Sequence, residues 1–260
     1  MKALYIIFIA ILCLQCKKEE KISDGIVFQY DKSMPMKFQE FNEGQDEYGG
    51  QVIYVGNNSP IIPIRYYLTG IAPPPPPVTN DPHGKIYHET ETKFNSIKQK
   101  YFNGYLPTFS AKSGIKEDSI GNQNVKIEAN INDIIPLYSL PDDINLKTYK
   151  AFPVFVKNIS KKNLIIRSWD LGTQYEVLNL SKKWQIILNN NWFICGTGLN
   201  SNINYYSFKK GEIMIFGVPL LHGSYKTKMR IRLGYAKSNE FDVSVDPEIF
   251  KKQKRLIYLD

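Results

Sequence analysis

The sequence lacks the short motifs that mark the common classes of enzyme. It contains no Gly-x-Ser-x-Gly nucleophile turn, no His-Glu-x-x-His zinc motif, no phosphate-binding loop and no Rossmann glycine pattern. Its carboxylates are scattered, so that no pair can be assigned to acid–base chemistry from the sequence. We therefore predict no catalytic residue and no cofactor, and a role in binding or structure rather than catalysis.

Histidine is scarce, and two of the three histidines lie close together. His83 and His88 sit in a polar stretch with nearby carboxylates, a set that can ligate a metal. Pro82 and Gly84, however, argue against a helix that would bring the two side chains together. We predict a solvated loop here without a metal, and we assign no role to His222.

Long apolar runs are absent after the first residues of the chain. Residues 3–14 form an apolar run of twelve residues after the basic Lys2. As a helix this run would be about 18 Å long, which is shorter than the ~30 Å hydrocarbon core of a bilayer. The pattern predicts a signal peptide over residues 1–15 and an exported, soluble remainder.

The junction that ends this run carries the most specific motif in the chain. Cys16 follows Leu14-Gln15 directly, and a charged stretch follows the cysteine. This junction resembles the relaxed lipobox of Bacteroidota lipoproteins, in which the cysteine becomes the first mature residue and its sulfur carries lipid. The resemblance implies lipid attachment at Cys16, a polar tether over residues 16–24 and anchoring in the outer membrane. The alternative is an ordinary secretory signal that is cleaved near Cys16.

A second resemblance concerns the side of the membrane. Lys18, Glu19 and Glu20 are similar to the surface-export signal of the same lipoproteins, a lysine followed by two acidic residues. The signal implies a location on the cell surface, with the periplasmic face of the outer membrane as the alternative. The expected partners are then the membrane, through the lipid anchor, and a glycan or an envelope protein. Nucleic acid is not an expected partner of an exported protein.

The cysteine content predicts a fold without disulfides. Cys13 leaves with the signal peptide, Cys16 carries lipid, and Cys195 is the third and last cysteine. Core packing alone must therefore stabilise the fold in an oxidising compartment. The apolar neighbours of Cys195 favour a buried, inert thiol.

The composition and strand pattern predict an all-β fold. Hydrophobic residues make up 43% of the 260 residues, which is ample for a packed core, and the net charge of +8 favours anionic surroundings. Short apolar runs separated by Gly, Asn, Ser, Lys and Pro indicate antiparallel strands in a sandwich. These runs cover residues 151–157, 164–169, 174–178, 183–188, 203–208, 212–218, 226–233 and 240–245.

The C-terminal region resembles a known class of sandwich. It is similar to the Ig-like or fibronectin-III-like domains of bacterial surface lipoproteins. The matching features are Trp184 on an early strand, residues 210–212 before a later strand and residues 223–225 before the next strand. The resemblance implies an antiparallel Ig-like β-sandwich over residues 145–247.

The remaining residues predict a second domain and a tail. Residues 25–144 are interpreted as an irregular β-rich N-terminal domain, with an embellishment of the C-terminal sandwich as the alternative. Residues 248–260 are interpreted as a short basic C-terminal tail. Residues 51–68 contain two apolar runs around a turn, which indicates a hairpin. Pro63 in the second run predicts an edge strand, because proline cannot donate to a ladder.

One strand carries a basic stripe, defined as Lys226, Lys228, Arg230 and Arg232. These residues alternate with apolar ones, which is the pattern of a half-buried strand. Their side chains would lie about 6.6–7 Å apart and could meet lipopolysaccharide phosphates or acidic glycans. The alternative is a solvated outer face that also discourages edge pairing.

Aromatic residues offer another ligand site. Trp169, Trp184, Trp192, Tyr205 and Tyr206 could together form a platform on which sugars stack. Trp192 follows three asparagines and is the better candidate for an exposed ring, whereas the alternating run around Trp184 favours the core.

These observations predict a surface-exposed outer-membrane lipoprotein that acts in adhesion or glycan capture. The alternative function is that of an envelope interaction or immunity-type lipoprotein that docks a protein partner. A hydrolase with a site assembled from distant residues is the third hypothesis.

Overall fold

The computed structural model describes residues 20–40, 50–68, 85–111, 115–140, 145–187 and 203–252. Within these residues the chain is predominantly β, as predicted. None of the helices in these ranges is both long and apolar enough to cross a bilayer. Several residues singled out from the sequence lie outside the described residues, namely Cys16, Lys18, Glu19, Trp192 and Cys195.

One five-stranded antiparallel sheet, the central sheet, contains the most buried strands. Its path runs through β2 (Gln51–Gly56), β14 (Ile213–Pro219), β9 (Lys147–Asn158) and β7 (Val125–Ala129), and β8 (Ile135–Ser139) also pairs β9. The twelve-residue β9 pairs β8 along its first half and β7 along its second half.

A second five-stranded antiparallel sheet, the outer sheet, packs on one face of the central sheet. It contains β12 (Trp184–Ile187), β11 (Gln174–Leu178), β15 (Tyr225–Leu233) and β16 (Ala236–Lys237), with β17 (Phe241–Val245) paired to β15. A three-stranded sheet lies on the same side and contains β10 (Leu164–Arg167), β13 (Ile203–Phe208) and β6 (Phe109–Ala111). A short 3₁₀ helix, Ser168–Leu171, follows β10.

The opposite face of the central sheet is covered by the N-terminal layer. This layer consists of two parallel strand pairs and a helix, namely β1 (Val27–Gln29) with β3 (Ile61–Pro63), β4 (Tyr66–Leu68) with β5 (Phe102–Tyr105), and α1 (Lys85–Tyr101). Its buried side chains form one cluster with those on the adjacent face of the central sheet.

The central sheet is therefore buried on both faces. Successive side chains of a strand point to opposite faces, so Val154 and Val156 join the cluster shared with the outer sheet, whereas Phe155 joins the N-terminal cluster. All residues of β14 are buried. Such strands are near-continuous apolar runs. β15, in contrast, alternates between buried and outward residues because none of the described sheets covers its outer face.

The central sheet contains strands from both sides of the domain boundary that was predicted between residues 144 and 145. β9 begins after this boundary, yet it is hydrogen-bonded to β7 and β8, which precede it, and to β14, which follows. The physical reason is that both faces of β9 are apolar and both need cover. Residues 25–144 thus contribute strands and a covering layer to the same core as residues 145–247.

The predicted hairpin is wrong, although both of its runs form strands. β2 pairs β14, and β3 pairs β1 in parallel, so the two runs are not neighbours in a ladder. β2 belongs to the central sheet and β3 to the N-terminal layer, and the side chains of Ile53 and Ile62 pack together between these layers. Pro63 does lie on an edge strand, since β3 has only β1 as its partner in the described ladders.

The predicted tether and the predicted tail each bury a residue against the rest of the fold. Within the predicted tether, Ile22 is buried and its N–H donates to the carboxylate of Glu128 at 2.7 Å. Within the predicted tail, α2 (Glu248–Lys252) buries Ile249. Asp246 caps this helix, because its Oδ1 accepts a hydrogen bond from the N–H of Glu248 at 2.9 Å.

A shared core predicts a single unfolding transition. Phe155→Ala, on the N-terminal side of the central sheet, should lower the free energy of unfolding by about 3–5 kcal/mol, and Met229→Ala, on the outer-sheet side, by about 2–5 kcal/mol. Urea unfolding followed by fluorescence and circular dichroism should give one transition that moves in both variants. The half-exposed Ile159→Ala is the control and should change stability by less than about 0.5 kcal/mol. Two transitions, of which each variant moves only one, would contradict the shared core.

Candidate functional site

The register of β15 directs the basic stripe outward. Thr227, Met229, Ile231 and Leu233 are buried, whereas the four basic residues between them are exposed or half-buried. The predicted orientation of the stripe is therefore confirmed. The stripe is not a row of isolated cations, however, because neighbouring strands bring acidic side chains beside it.

A buried carboxylate fixes the two arginines of the stripe. Glu176 on β11 lies opposite Arg230 in the ladder, and its side chain is only 6% exposed. Arg230 Nε donates to Glu176 Oε2 at 2.5 Å, and Arg232 Nη1 donates to Oε1 at 3.4 Å. Lys237 Nζ lies 3.9 Å from the same carboxylate. Because hydrogen bonds between charged groups are strong where water is excluded, Glu176 holds both guanidinium groups in defined positions.

Trp184 lies on this outer face, so the prediction that it belongs to the core is wrong. It pairs with Leu178 across the β11–β12 ladder and is half-buried. The guanidinium carbon of Arg230 lies 4.0 Å from the centroid of its ring, which is a close cation–π contact. The reason is strand parity. Ile187 takes the inward position on β12, which turns Trp184 toward the outside.

Tyr235 adds a second ring to the same side of the outer sheet. It is 71% exposed in the turn after β15, and the guanidinium carbon of Arg232 lies 5.7 Å from its ring centroid. We define the Arg–Trp face as Glu176, Arg230, Arg232, Trp184 and Tyr235. Neither Glu176 nor Tyr235 was among the residues predicted from the sequence to form a site.

Two other predicted platform residues, Tyr205 and Tyr206, are not part of this face. Tyr205 and Tyr206 are buried. The hydroxyl of Tyr206 donates to Glu212 Oε2 at 2.9 Å, and burial together with this carboxylate raises the pKa of Tyr206 far above its usual value. The two tyrosines are thus unavailable to a ligand at the surface. The side chain of Trp169 and all of Trp192 lie outside what the structure describes.

The histidines do not form a metal site in the described part of the chain. No three His, Cys, Asp or Glu side chains there are close enough to hold a metal ion. His88 lies in α1, so the predicted loop is wrong at this position; the proline and glycine that argued against a helix precede its first residue. His222 Nε2 lies 3.6 Å from Glu40 Oε1, a contact between chain segments rather than a site.

Comparison with known proteins gives no relative from which a function can be transferred. No family model, curated protein or solved structure matches the chain.

The stability of the fold should depend on Glu176, because this carboxylate pairs with both arginines of the face. Glu176→Gln removes the buried anionic partner that two partly buried guanidinium groups share, leaves Arg230 only the longer contact with Glu240 at 3.7 Å, and should destabilise the fold by about 3 kcal/mol. Asp242→Asn is the matched control, because it breaks the exposed pair with Lys228 and should cost less than about 1 kcal/mol. The measurement is the midpoint of urea unfolding at low and high salt. Equal losses in the two variants would show that Glu176 does not organise the face.

Proposed function

We propose that this protein is a lipid-anchored, exported lipoprotein that captures an acidic glycan on the Arg–Trp face. The observation that carries the glycan-binding part is the contact between Trp184 and Arg230, whose guanidinium is held in place by Glu176. The indole is turned out of the core, and the cation that lies against it is held by a buried carboxylate.

The chemistry of the face suits a sugar that carries carboxylate or sulfate groups. A guanidinium presents planar, paired donors that match such anions. The exposed ring of Tyr235 offers an apolar surface for the C–H face of a sugar. The contact with Glu176 orients Arg230 and Arg232 before any ligand arrives, which lowers the entropic cost of binding. Lys226 extends the positive surface along β15, whereas Lys228 is paired with Asp242 at 2.9 Å.

The anchoring part of the proposal is supported by the first twenty residues. The apolar run is too short to span a bilayer and ends at Cys16, the lipid-attachment residue of the proposal. Lys18, Glu19 and Glu20 favour the cell surface over the periplasmic face of the outer membrane. The absence of nucleophile and phosphate-binding motifs favours a non-catalytic role.

Glycan capture should depend on Tyr235 and not on another exposed tyrosine. Tyr235→Ala should weaken binding to a polyuronate or sulfated polysaccharide about tenfold, because a stacking contact is lost. Tyr105→Ala removes a ring that is 60% exposed in the N-terminal layer and should leave the affinity unchanged. Isothermal titration calorimetry at two salt concentrations measures both effects. Equal affinity losses, or binding to neutral but not to acidic polysaccharides, would contradict the proposed site.

Surface location should be visible in intact cells. Protease added to intact cells of a Bacteroidota host should digest the protein, and Cys16→Ala should release it from the membrane fraction. Digestion only after the outer membrane has been opened would place it on the periplasmic face and contradict surface capture. Retention of the Cys16→Ala variant in the membrane fraction would contradict lipid attachment at this residue.

A further inference from the structure

The first described residues are bound tightly to the central sheet. Glu128 on β7 is buried, and its carboxylate accepts hydrogen bonds from the Ile22 N–H at 2.7 Å, the Ser23 N–H at 3.3 Å and the Ser23 hydroxyl at 2.5 Å. The side chain of Ile22 joins the N-terminal cluster. The chain is therefore attached to the central sheet at Ile22 and Ser23.

An exposed apolar pair lies next to this attachment point. Val27, four residues after Ser23, is 62% exposed, and its register partner Ile61 on β3 is 60% exposed. The alternate residues Phe28 and Ile62 point inward, and the Phe28 ring lies 6.1 Å from that of Phe155 in the central sheet. A single exposed aliphatic side chain needs no explanation, but two β-branched residues paired across a two-stranded sheet form a small apolar surface.

We propose that Val27 and Ile61 rest in the interface of the membrane in which Cys16 is anchored. This inference rests on the lipid anchor proposed above. Ile22 lies six positions after Cys16, and a fully extended chain of that length spans at most about 22 Å. Because Ile22 is fixed to Glu128, the end of the molecule that carries Val27 must stay close to the lipid surface.

In the layered fold, this orientation determines the direction in which the Arg–Trp face points. Val27 and Ile61 belong to the N-terminal layer, which covers one face of the central sheet. The outer sheet covers the opposite face, and its Arg–Trp face is directed away from the central sheet. A molecule that rests on the N-terminal layer therefore presents Arg230 and Trp184 away from the membrane. The lipid supplies the attachment, and the apolar pair acts as a second membrane signal that sets the orientation.

The test uses nitroxide labels on the full-length lipidated protein. Val27→Cys and Ile61→Cys are labelled in a Cys195→Ser background, and Leu180→Cys is the matched control, an exposed aliphatic residue in the turn between β11 and β12. The proteins are reconstituted into vesicles of phosphatidylethanolamine and phosphatidylglycerol. Power saturation should show a several-fold higher ratio of oxygen to nickel-complex collisions at residues 27 and 61 than at residue 180. Circular dichroism confirms that each labelled variant is folded.

Flotation with the vesicles separates this inference from the proposal on which it rests. If the wild-type chain floats and residues 27 and 61 have the same collision ratio as residue 180, the membrane contact is overturned while the anchor stands. If the wild-type chain does not float and carries no acyl mass, both proposals fall. Dipolar broadening between labels at residue 27, at equal strength with and without lipid, would assign the apolar pair to a second copy of the chain instead.

Discussion

The burial of the central sheet on both faces is the constraint on which the rest of the structure depends. β9 and β14 have almost no polar face, so each of their sides must be covered. The contact with the N-terminal layer is close. A Cβ atom at Gly217 would overlap the ring of Tyr66, whose hydroxyl donates to the carbonyl of Pro136 at 2.7 Å. Glycine at this position of β14 therefore allows the side chain of Tyr66 to approach the sheet closely. The N-terminal layer is required by the core and is not an accessory to it.

The local strand pattern could be predicted from the sequence, whereas the pairing could not. Each apolar run predicted after residue 144 corresponds to a described strand, because period-2 alternation or a short apolar run between turn residues is a local property. The pairing of β2 with β14 joins residues more than 150 positions apart. The pairing depends on which strands are buried on both faces. The uninterrupted apolar residues 151–156 and 213–218 indicate such strands, because a strand with one solvated face would alternate between apolar and polar residues.

The difference between local pattern and long-range pairing also explains which residues of the Arg–Trp face could be predicted. The outward direction of Arg230 followed from alternation along β15, but the position of Glu176 beside it depends on the register between β11 and β15. These two residues are 54 positions apart in the chain, and nothing local to either of them specifies the contact. The prediction that Trp184 lies in the core was wrong for a different reason. Both faces of the short strand β12 carry apolar side chains, so the pattern did not show which face is covered.

Two buried carboxylates, Glu128 and Glu176, hold the N-terminal segment and the Arg–Trp face in place. Glu128 lies on β7 between residues that point to the outer sheet, so its own side chain points to the opposite side, where it binds Ile22 and Ser23. Glu176 lies on the outer sheet and binds the arginines of the Arg–Trp face. The strands of the central sheet connect the two positions. A sheet packed on both faces has little room to deform, because protein interiors are as dense as organic crystals. The direction in which the chain enters at Ile22 therefore fixes the direction in which the Arg–Trp face points.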